Sequence, residues 1–99
     1  MNTGSLMQDI FRLVDEVPNH SDAYISGMML KDARTEIQMK ALAYMQAIIM
    51  QSLQVKNIKR AVQYALAFHA LTEKNALNKT NLKEAITAKL IADSEDVNL

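Results

Sequence analysis

From the N-terminus, Leu6, Ile10, Leu13, Val14 and Val17 recur at three- and four-residue steps, with Met7 and Phe11 widening the stripe. That spacing predicts an amphipathic helix. Asp9, Arg12, Asp15 and Glu16 fall toward its other side, where Arg12 and Glu16 pair four residues apart. Ser5, followed three residues later by Gln8, matches a capping box and sets the expected start. Pro18 ends the helix at Val17, because the residue before a proline is driven out of the α region.

Asn19 to Asp22 reads as a turn, with Ser21 or Asp22 capping the next segment. Tyr24, Ile25, Met28 and Met29 form a short apolar face, in which Gly27 weakens helix by about 1 kcal/mol relative to alanine. The polar run Lys31–Arg34 predicts a break or kink. A strong helix is expected from Thr35 to Leu53, opened by a Glu36–Lys40 pair. Its apolar residues surround the axis: Ile37, Ala41, Tyr44 and Ile48 on one side, Leu42, Met45, Ile49 and Leu53 on another. Such a helix must be enclosed.

A short link, Gln54 to Asn57, supplies Asn57 as the cap of a helix from Ile58 to Glu73. Ile58, Ala61, Val62, Ala65 and His69 share one face, while Leu66, Phe68 and Leu71 extend the apolar surface. A link this short forces an antiparallel hairpin, and alanines at 41, 43, 47, 61, 65, 67 and 70 let its helices approach closely. Lys74 to Lys79 reads as a polar loop anchored by Leu77. Thr80 is then the expected cap of a last helix, Asn81 to Ile91, with a Leu82, Ala85, Ile86, Leu90 stripe. Residues 92–99 read as a frayed acidic tail. The pattern as a whole predicts one all-α domain over residues 1–99. Its architecture is a compact bundle of four to five helices around a central antiparallel helical hairpin.

Composition agrees with that expectation. Among 99 residues there are two glycines and one proline, and 49% are apolar. Cysteine is absent, which removes disulfides, thiolate metal sites and a cysteine nucleophile. The first eight residues carry neither a basic region nor a long apolar run, so no signal peptide is read. The longest apolar run, Ala41 to Met50, is interrupted only by Gln46 and is about half of what a membrane span needs. A soluble, cytoplasmic protein without membrane contact is expected.

Catalysis finds little to work with. The two histidines, His20 and His69, lie in a turn and in an apolar helix, and no pair has the spacing of a helical metal motif. Gly4 and Gly27 stand alone, so no phosphate loop exists. No enzyme activity, cofactor or metal is expected. Charge is uneven, however: residues 55–91 carry seven bases against Glu73 and Glu84. A nucleic-acid patch from Lys56, Lys59, Arg60, Lys79 and Lys83 is therefore the second functional reading. Against it stand a net charge of zero and the want of a polar base-reading face.

Two local resemblances exist. Asn57-Ile58-Lys59-Arg60-Ala61 followed by Leu77 to Ile86 resembles the last helices of AAA+ ATPase lid domains, over about a third of the chain and without an ATPase core. Residues 36–73 are similar to a tetratricopeptide unit, but Phe68 stands where that pattern wants a small residue. Neither implies family membership.

The first reading rests on the hairpin, which has more apolar circumference than three flanking segments can cover. It predicts a non-enzymatic protein–protein interaction module (adaptor, inhibitor, chaperone-like or regulatory). The chain is expected to self-associate as a homodimer or larger oligomer and to bind another protein. Tyr24, Met28, Met29, Tyr44 and Met45 are the contact candidates.

Overall fold

The computed structural model describes residues 3–17, 21–73 and 79–97, with the side chains of Thr3, Lys79 and Thr80 left aside. Among these residues five α-helices follow one another: α1 Thr3–Glu16, α2 Asp22–Met29, α3 Thr35–Gln54, α4 Ile58–Thr72 and α5 Lys79–Asp96. A short 3-10 turn, Leu30–Asp32, separates α2 from α3. It realises the break expected near Lys31–Arg34. Gln38 of α3 fixes this corner by donating its side-chain amide to the carbonyls of Leu30 and Lys31.

The caps follow local chemistry. Ser21 Oγ accepts the backbone N–H of Tyr24 at the start of α2, and Asn57 Oδ1 accepts that of Arg60 at the start of α4. Between α3 and α4 the chain reverses in three residues. Lys56 adopts φ 60°, Lys56 N–H donates to Leu53 O, and Asn57 N–H donates to Ser52 O. That pair of bonds is the Schellman arrangement, built here around a lysine rather than a glycine.

α4 is the centre, touching α1, α2, α3 and α5. Eight of its fifteen residues are buried, on nearly every side of the axis. α1 contributes Leu6, Ile10, Leu13, Val14 and Val17, all buried as the stripe predicts, each worth about 1.5–3 kcal/mol. Ile49 and Leu53 of α3 and Leu82, Ile86 and Leu90 of α5 complete the main core. A smaller cluster, Met45, Ala67 and Leu71, sits between α2, α3 and α4. The Cα radius of gyration, 12.7 Å, matches that of a packed domain of about this length.

Gly27 has a different role from the one its helix propensity suggests. α2 crosses α4 so closely that a Cβ at Gly27 would lie 2.3 Å from the carbonyl oxygen of Ala67. The glycine is buried at that crossing.

Three expectations need correcting. α1 begins at Thr3, so Ser5 lies inside the first turn instead of capping it. α5 begins at Lys79, which places Thr80 within the helix; Leu77 falls outside the described residues. The acidic tail is not frayed as far as it is described: α5 continues to Asp96, with Asp93 and Ser94 buried and Val97 packed on the main core. Packing onto the main core carries the helix beyond its Leu82–Leu90 stripe.

Candidate functional site

Gly27, Ala23 and Tyr24 turn inward on α2, which leaves Ile25, Met28 and Met29 on the outer arc. These three lie at i, i+3 and i+4, so they form one continuous apolar strip. Met29 is the most exposed large apolar side chain among the described residues, at 74%. On α3, the inward arc is Met45, Ile48, Ile49, Ser52 and Leu53. Ile37 and Tyr44, seven residues apart on one edge, are both exposed, Tyr44 at 67%. Met39 and Val55 are exposed elsewhere on α3 and at its end.

The five contact candidates therefore separate. Met28, Met29 and Tyr44 face outward. Tyr24 is half-buried against the main core, and Met45 is buried at 6% exposure. Met45 also lines a cavity of about 580 Å³ between the start of α2 and α4. The other walls are Ser21, Asp22, Ala23, Ser26, Gln63, Tyr64 and Ala67. Its serines are committed locally: Ser21 caps α2, and Ser26 donates to Asp22 O.

The basic residues of the expected patch sit on the α3–α4 turn, on α4 and on α5. Lys56 stands in the α3–α4 turn, outside the helix that carries Arg60, and Lys59 is exposed. Arg60 donates to Gln51 Oε1 at 3.0 Å. Lys83 is paired with Asp15 at 2.8 Å and lies over the Phe11 ring, which ties α5 to α1. Lys79 belongs to the first turn of α5.

His69 is half-buried on α4. Its pKa is lowered, first by desolvation, with the Glu73 carboxylate opposing and the Lys31 ammonium adding to the shift. Lys31 also donates to the Glu73 backbone carbonyl, closing the 3-10 turn onto the end of α4. Among the described residues, no three His, Asp or Glu side chains converge as a metal site.

One charged cluster escaped the sequence reading. Lys89 reaches inward from α5, donates to Gln46 Oε1 of α3 at 2.7 Å and sits 4.0 Å from the Phe68 ring centroid of α4. Its ammonium is 3.2 Å from Asp93 Oδ2, close enough for charge pairing but not aligned for a hydrogen bond, so that oxygen lacks one. Three helices meet at this lysine. The signal available was the i, i+4 spacing of Lys89 and Asp93, which crosses the expected end of the helix and so went unused.

Comparison with protein families, curated proteins and solved structures finds no match to this chain. No helix among the described residues is long and apolar enough to cross a membrane.

Proposed function

We propose that this chain is a non-catalytic helical interaction module that associates with a second copy of itself through the outer face of α2 and the Ile37–Tyr44 edge of α3. The observation that carries this reading is the exposure of Met29 and Tyr44. Large apolar side chains left exposed on a packed helical domain favour burial against a partner. Methionine suits such a surface because its side chain adapts its shape to what covers it. A net charge of zero removes the like-charge repulsion that keeps many small domains apart.

Sedimentation velocity across a concentration series tests the proposal. The native chain is expected to sediment at twice its 11.1 kDa mass or more. The double substitution Met29→Lys/Tyr44→Lys, with unchanged helical circular dichroism, is expected to return it to one chain. A native chain that stays monomeric through the high micromolar range overturns the reading.

A further inference from the structure

α1 and α5 run antiparallel, since Lys83 near the start of α5 reaches Asp15 near the end of α1. Along their outer seam lies a groove of about 500 Å³. Met7 and Phe11 form its α1 wall, and Ala88, Ile91 and Ala92 form much of its α5 wall. The exposed surface of the groove is nearly all apolar. Among the described residues, its charged lining is Glu84 and Glu95, both exposed. They lie eleven residues apart on one helix, a separation of about 16 Å. The nearby Lys83 does not offset them, because its ammonium is already paired with Asp15 at 2.8 Å.

We infer that this groove receives a cationic amphipathic helix from a partner protein. Two exposed alanines leave room for a third helix to approach α5 closely, and Met7 offers an adaptable wall. An occupant that matches the seam carries apolar residues at i, i+3 or i+4, and i+7. It carries lysine or arginine about three turns apart, where its cations meet Glu84 and Glu95. This surface involves neither the α2 strip nor Tyr44, so it stands apart from the proposed self-association.

A synthetic 18-residue helical peptide tests the inference, with two lysines eleven positions apart and leucines along the same face between them. Its fluorescently labelled form is titrated with the full chain at low salt and followed by anisotropy. Binding is expected to weaken at least tenfold with Glu84→Lys/Glu95→Lys, and likewise when the peptide's lysines become glutamates. Ala88→Arg, which fills the groove from an exposed position, is expected to weaken it comparably, while Met29→Lys/Tyr44→Lys leaves it unchanged. Three results overturn the inference: no binding to the native chain, equal affinity for the charge-reversed chain, or loss only with Met29→Lys/Tyr44→Lys. Circular dichroism of each variant separates loss of binding from loss of fold.

Discussion

Replacing Gly27 with alanine sets two effects of opposite sign against each other. In an isolated helix alanine is favoured by about 1 kcal/mol. In this protein the new Cβ meets the Ala67 carbonyl oxygen at 2.3 Å, and the carbonyl carbon and Cα of Ala67 at 3.1 Å. All three are backbone atoms of the central helix, so no side-chain rotation relieves the contact. α2 must lift off α4 by about 1 Å to restore ordinary van der Waals separation. Overpacking of this kind costs about 1–3 kcal/mol, and so short a contact belongs at the upper end. The expected balance is a loss of about 2 kcal/mol, or about 10 °C in Tm for a chain of this length. Urea unfolding followed by circular dichroism measures it. Ser26→Ala, at an exposed neighbour, is the control and should shift stability by less than about 0.5 kcal/mol. The double variant Gly27→Ala/Ala67→Gly should not recover, because the methyl group of Ala67 is not the obstacle. A Gly27→Ala protein as stable as the native one, or rescue by the second substitution, refutes the reasoning.

Other positions give sharp expectations too. Lys56→Gly removes the left-handed penalty of a side-chain-bearing residue at φ 60° and should raise stability by about 1 kcal/mol in urea unfolding; a destabilised variant contradicts that account. Lys89→Met strips the mostly buried Asp93 carboxylate of its cation and should cost about 3 kcal/mol, whereas Lys89→Met/Asp93→Leu should regain most of that loss. Equal stability of the single and double variants disproves the pairing. His69 has a lowered folded pKa, so well above the ordinary histidine value of 6.5 it is neutral in both states and adds no pH dependence. Below that value the unfolded chain takes up the proton more readily, and stability falls as the pH drops. His69→Gln should therefore lose less stability than the native protein between pH 7.5 and 5.5, and an unchanged difference rules His69 out.

Where the hydrophobic pattern had one clear stripe, it located the buried face. The five α1 residues and Leu82, Ile86 and Leu90 of α5 are all buried as their spacing predicts. Ser21 and Asn57 cap the helices they were expected to cap, because capping depends on only a few neighbouring residues. The hairpin was harder to resolve. Apolar residues around the whole of α3 leave the covered arc undetermined, so Tyr44 and Met45 read alike although one is exposed and the other buried. Likewise Gly27 looks like a weak point until α4 is laid across it. Asp93 and Ser94 look solvated because their packing comes from helices distant in the sequence. Of the contact candidates, outward placement was legible for Met28, Met29 and Tyr44 only as one option among several.

Because α4 follows α1, α2 and α3 along the chain and every other described helix leans on it, synthesis order and assembly order diverge. α1 and α2 leave the ribosome before the surfaces that shelter Ile10, Leu13 and Gly27 exist, and α1's other main neighbour, α5, follows α4. Everything from α1 to the end of α3 must wait, unsheltered, for its keystone. A chain stalled after Gln54 would present greasy, partnerless helices to the cell's quality-control machinery, whereas a few dozen more residues let the whole domain close at once.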